Sequence, residues 1–157
     1  MTSTIKIEGG KKLKAFLELC KAQRARVDVG FFPESTYGDG TKVAQVAVDN
    51  EYGHVTHDFR IVPARPFLHP AYEENKSKWM KVLQQAIIKQ GDKIDAAKAL
   101  KAVGVVAQND VRQKINWWAK QGIPRNAEYT VEKKGFNSPL IETGQMKDAV
   151  NFKVISK

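Results

Sequence analysis

At 157 residues, 42% apolar and 27% charged, the chain has the composition of a soluble globular protein and the length of one domain with a core of its own. No apolar run approaches membrane-spanning length, the N-terminal MTSTIKIEGG lacks the hydrophobic centre of a signal peptide, and the lone cysteine, Cys20, excludes an internal disulfide and fits a reducing compartment of synthesis. A net charge of +9 permits contact with a polyanion, but the cations are spread along the chain, so specific nucleic-acid recognition is not expected.

In chain order, Thr4 to Ile7 reads as a short strand or arm ended by Gly9 and Gly10. Lys11 to Ala22 is a predicted helix, with Leu13, Phe16, Leu17 and Cys20 at i, i+3, i+4 and i+7. Cys20 lies on that stripe as a small hydrophobe, since no activating motif accompanies it. Arg26 to Phe32 alternates, with Val27, Val29 and Phe31 on one side, and predicts a strand that Pro33 ends. A polar loop follows over 33–41. Thr41 is the expected N-cap of a helix whose Val43, Val46, Ala47 and Asn50 share a face, and Gly53 is its expected stop.

Residues 53–70 read as an extended arm braced by Pro63, Pro66 and Pro70, each of which fixes its own φ and pushes the preceding residue toward extended geometry. From Ala71 to Gln90 a long amphipathic helix is predicted, with Tyr72, Trp79, Leu83, Ala86 and Ile87 at helical spacing and Glu73 and Glu74 near its positive end. Beyond Gly91 a second long helix is expected over 92–119, capped by Asp92. Its stripe is Ile94, Ala97, Leu100, Gly104, Ala107, Val111, Ile115 and Trp118. The short link makes the pair antiparallel or one kinked rod. Trp117 and Trp118 cannot share a face; one anchors in the core, and Trp117 is assigned to a neighbouring surface or partner. Residues 120–140 read as a long loop with a small hairpin around YTVEKKG, and Lys133 and Lys134 at its tip face either solvent or phosphate. A short helix near Gln145 precedes a strand, Val150 to Val154, expected to pair with Arg26 to Phe32. The expected fold is one α+β domain over 1–157, a small antiparallel sheet packed against two long helices, with extended loops or arms.

Candidate chemistry is sparse. His54, His57 and Asp58 form an H-x-x-H-D cluster, but a loop is the expected setting and the spacing is not that of a helical metal motif, so no metal site is assigned. His69 is assigned to packing or hydrogen bonding. Glu51, Glu142, Asp58 and His54 could supply acid–base chemistry, yet no phosphate loop or nucleophile motif joins them. No catalytic residue and no cofactor are assigned, and the chain is expected not to be an enzyme. A DNA-binding regulator is disfavoured by the lack of a helix-turn-helix or basic-aromatic repeat.

Four segments, taken together and in order, resemble one family. They are Gly30-Phe31 at a strand end, Asn50-Glu51-Tyr52-Gly53, Pro63-Ala64-Arg65-Pro66-Phe67 before a long helix, and Ile141-Glu142-Thr143-Gly144-Gln145-Met146. Their order and spacing are similar to those of the tail-completion and virion-morphogenesis proteins of long-tailed bacteriophages, the group that includes relatives of minor tail protein Z. The segment GHVTHDFRIV lengthens the link that is usually short in that group. The resemblance implies a structural protein of the phage neck, a ring, most often six-fold, that completes the tail and joins it to the head connector. A tail terminator ring capping the tail tube is the alternative. It further implies assembly in the host cytoplasm, a place in the virion, contact with connector or adaptor and with terminator or tube proteins, and DNA passing through the lumen without specific binding. On this reading Arg65, Pro66, Phe67, Trp117 and Phe136 are the interface candidates. Arg65 would make a salt bridge or carbonyl clamp, and Phe67 either anchors a neighbour or packs in its own core. Lys133 and Lys134 are the DNA-facing candidates.

Overall fold

A computed structural model describes residues 10–156; the strand or arm expected at Thr4 to Ile7 lies outside them. Its elements are α1 (Gly10–Ala22), β1 (Arg26–Gly30), α2 (Val43–Tyr52), β2 (His54–Val55), β3 (Ile61–Val62), α3 (Leu68–Lys89), α4 (Ala96–Gln121), α5 (Glu128–Lys134), α6 (Gln145–Ala149) and β4 (Asn151–Ile155). The two long helices, α3 and α4, pack against the two-stranded antiparallel sheet β1-β4, so the expected α+β class and the expected strand pair are both present. A second two-stranded sheet is the hairpin β2-β3, in antiparallel register His54↔Val62 and Val55↔Ile61.

The chain divides into two compact units, each with a core. The first comprises the described parts of residues 1–28, 76–106 and 153–157. Its core is Phe16 of α1, Ile87 of α3, and Ala96, Ala99 and Leu100 of α4, with Leu13, Cys20, Leu83 and Val154 packed around them. The end of α3 thus meets the start of α4, as in the antiparallel one of the two arrangements expected from the short link. Cys20 sits in this layer as a hydrophobe, and burial pushes its thiol pKa up. Leu17 and Tyr72, both placed on apolar stripes from sequence, are about half exposed, and in α1 Leu19 packs instead.

The second unit comprises residues 29–75 and 107–152. Its core joins Val43 and Ala47 of α2, Phe67, Ala71 of α3, Val111 and Ile115 of α4, Met146 of α6, and Val150. Phe31, just past β1, packs edge-on to Phe67 with ring centroids 5.9 Å apart. The C-terminal segment is tied down by Gln108, whose Nε2 donates to the Val150 carbonyl at 2.8 Å, and by Arg112, whose Nη2 donates to the same oxygen at 2.9 Å.

Several boundaries differ from the sequence expectation for local reasons. Helix α4 begins at Ala96 because the Asp95 carboxylate accepts from the Lys98 N–H at 3.0 Å, so Asp95 and not Asp92 is its cap. The expected helix stripe holds at Leu100, Gly104, Ala107, Val111 and Ile115, which are buried, but in the first turn Ala96 and Ala99 are buried and Ala97 is exposed. Thr41 is not the cap of α2; Lys42 takes that position without a side-chain bond, and the Thr41 N–H is held by Asp39 Oδ1 at 2.9 Å. YTVEKK is helical rather than a hairpin. Glu128 suits its first turn, Lys133 and Lys134 its last, and Gly135 closes it in the left-handed conformation with an N–H to the Val131 carbonyl.

Candidate functional site

In the second unit, the four segments of the sequence resemblance converge. The Asn50–Gly53 turn and the Pro63–Phe67 segment are bound to one another. The Arg65 N–H donates to the Asn50 carbonyl at 2.7 Å, satisfying one of the last carbonyls of α2. Glu51 is buried at the end of α2, and its carboxylate accepts from the backbone N–H groups of Phe67 at 2.7 Å, Leu68 at 2.9 Å and His69 at 2.9 Å. The next residue, Pro70, has no N–H, so the amides that α3 leaves unpaired at its start are all accounted for. The negative charge at this helix terminus therefore comes from Glu51, not from Glu73 or Glu74, which lie beyond the first turn. Gly53 stops α2 as expected, at φ 72°, and permits a close crossing: a Cβ there would lie 2.8 Å from the Ala64 nitrogen and from the Val62 oxygen.

This locked turn forms one wall of an open cleft of about 740 Å³. Facing walls come from the 37–41 loop, the stretch Arg125 to Lys134, and Leu140 to Met146. Four cations (Arg65, Arg125, Lys133 and Lys134) line it against two carboxylates, Asp39 and Glu142. Arg65 is 5% exposed; its Nη2 donates to the Pro124 carbonyl at 3.1 Å and lies 3.5 Å from that of Arg125. That is a carbonyl clamp within the chain, and burial lowers the pKa of the guanidinium. Lys134 is half-buried with its Nζ on the Ile141 carbonyl at 2.9 Å. Its pKa is pushed down by burial, a shift opposed by Glu142 and reinforced by Arg65. Tyr37 is pushed up, first by burial and then by Glu142 and Asp39. Asn137 ties Asn126 to the end of α4, donating to the Gly122 carbonyl at 2.8 Å and accepting the Asn126 N–H at 3.0 Å.

Among the sequence-assigned residues, Arg65, Lys133 and Lys134 come together in this cleft. Phe67 does not reach a surface; it is fully buried in its own core. The Pro66 carbonyl accepts the Trp118 indole N–H at 2.6 Å, which makes Trp118 the core anchor. Trp117 is nearly half exposed, edge-on to Trp118, with the Lys114 ammonium 4.8 Å from its ring centroid. Phe136 is exposed and does not line the cleft. His54 turns its Nδ1 to the Asp49 carbonyl at 3.3 Å, while His57 and Asp58 lie exposed on the hairpin turn. Among the described residues no group of three or more His, Cys, Asp or Glu is gathered as metal ligands. Asn126 and the exposed apolar side chains of the hairpin carried no periodic signal in the sequence. The one available signal was the presence of apolar residues, Val55, Phe59, Ile61 and Val62, in the link.

No protein-family model, curated protein or solved structure matches the chain.

Proposed function

We propose that this chain is a non-enzymatic structural subunit of the neck of a long-tailed bacteriophage, assembling into a ring, six-fold by the resemblance, that completes the tail and joins it to the head connector. The observation that carries the assembly reading is the β2-β3 hairpin. Phe59 is 87% exposed, Ile61 81% and, at the adjoining end of α2, Tyr52 77%; Val55, the register partner of Ile61, is exposed as well. Four large apolar side chains on one short hairpin and its root form a surface suited to burial against a neighbour. A head-to-tail ring needs such a surface to meet a different one on the next copy. The four interlocked segments support the neck assignment, and the basic surface suits a lumen through which DNA passes with only charge screening. The other contacts of this reading are the connector or adaptor and the terminator or tail-tube proteins.

The test is light-scattering mass across a concentration series, with and without isolated tail tubes, for the wild-type chain and a Phe59→Ser, Ile61→Ser variant. The expected result is a wild-type ring, or a monomer that caps tube ends, and a variant that does neither while keeping its helical signal. A wild-type chain that stays monomeric and ignores tubes would sink the neck reading. Normal assembly by the variant would remove the hairpin from it.

A further inference from the structure

Two buried donors without acceptors belong to residues that line the same cleft. Arg65, 5% exposed, has an Nε with no hydrogen-bond partner, and Asn126, 9% exposed, has an Nδ2 with none. Buried polar groups are nearly always paired, because an unmade bond in a low-dielectric setting costs the full desolvation of the group. Both orphans here are N–H donors, so both call for oxygen. They are held near one another: Arg65 Nη2 bonds the carbonyl two residues before Asn126, and Asn137 holds the Asn126 backbone. Charge points the same way. Among the described residues no carboxylate stands within ion-pairing distance of Arg65 or Lys134, although Glu142 is near enough to be felt by Lys134. Burial disfavours both cations and the charge of Arg65 further disfavours that of Lys134, a cost that an incoming anion would offset.

We propose that the cleft is a binding site for a carboxylate carried on an acidic polypeptide segment of an assembly partner. Arg65 and Asn126 supply directional donors, and Lys133 and Lys134 supply the field. A guanidinium presents a planar fork that matches a carboxylate. The recessed position of Arg65 favours a peptide side chain over DNA, whose phosphates lie on the outside of a broad cylinder and would meet exposed lysines first. The apolar lining, Val46, Ile61, Val62 and Met146, suits a peptide that carries aliphatic residues beside its acidic ones. The inference deepens the assembly reading by naming the chemistry of a partner, and it rests on that reading only for the partner's existence.

The experiment is fluorescence anisotropy with a labelled peptide of alternating glutamate and leucine flanked by glycine, its glutamine counterpart, and a labelled duplex oligonucleotide. Two variants accompany the full chain. Asn126→Asp keeps the side-chain shape and turns a donor into a like-charged acceptor. Lys133→Glu changes an exposed position that no core contact depends on. The glutamate peptide is expected to bind at least about tenfold more tightly than the glutamine one, and each variant to weaken it by about tenfold, the equivalent of about 1.4 kcal/mol. Equal binding of the two peptides would overturn the proposal, as would wild-type affinity in both variants. So would an oligonucleotide that displaces the peptide and loses affinity in both variants, since the site would then serve phosphate. Ring formation is read separately by light scattering, so a failed peptide titration beside a normal ring refutes this inference alone, and specific peptide binding by a chain that never assembles refutes the neck reading alone.

Discussion

Replacing Glu51 with alanine removes the acceptor from three backbone amides at once, those of Phe67, Leu68 and His69. Hydrogen bonds to a charged group contribute about 1.5–3 kcal/mol each, so the gross loss is about 5–9 kcal/mol. Two effects reduce it. The desolvation cost of a buried carboxylate, several kcal/mol, disappears with the side chain, and water can reach the amides of Leu68 and His69, which are only partly buried or exposed. A net loss of about 3 kcal/mol remains, above the usual range for a helix cap because one side chain serves three donors. For a chain of this size that is a drop in Tm of about 6–12 °C. Glu51→Gln keeps one carbonyl oxygen but points an amide donor at other donors, and should lose about half as much. Urea denaturation followed by far-UV circular dichroism measures both, with an unchanged m-value showing that only stability moved. An alanine variant within about 0.5 kcal/mol of wild type, as expected for a surface site, would refute the capping argument.

Other outcomes test separate contacts. Trp118→Phe deletes the 2.6 Å bond to the Pro66 carbonyl and should cost about 2 kcal/mol in the same denaturation assay; no change would mean that the bond is replaced by water. Gly53→Ala places a Cβ 2.8 Å from two backbone atoms at φ 72° and should cost at least about 2 kcal/mol, whereas Gly91→Ala, at φ 69° with nothing within 4 Å, should cost only about 1. Equal losses would show that conformation alone, and not the close crossing, governs Gly53. Asp39 should titrate below its ordinary 3.8 by carboxyl NMR, because the Thr41 backbone N–H and then the Thr41 side chain favour its ionised form. Its contribution is thus complete above the ordinary carboxyl pKa and is lost as pH falls through the lower folded value. An ordinary titration midpoint would contradict that loop geometry. Cys20, whose thiol is pushed up by burial, should react with Ellman's reagent at pH 8 several-fold more slowly than cysteine in the urea-unfolded chain; matched rates would place it outside the apolar layer.

The amino-acid sequence by itself determined those elements whose signal is carried within a few residues. The 3.6-residue spacing of Phe16 and Cys20, of Leu83 and Ile87, and of Ala107, Val111 and Ile115 marks the three longest helices, and alternation marks β1 and β4 well enough to pair them. Gly53 was legible because a helix stop is a local conformational demand. Helix α5 was not, since seven residues are too few for periodicity to separate a helix from a turn. Glu51, a carboxylate beside a glycine turn, read as a cap or a solvated residue rather than as an acid or base, but the helix it caps was not legible, because the amides it accepts from lie 16–18 residues away. The cleft escaped notice altogether, drawing Tyr37, Arg65, Asn126, Lys134 and Glu142 together from distant positions. Desolvation and the matching of donors to acceptors act through space, so only the tertiary structure decided which polar residues are paired and which buried donors are left without an acceptor.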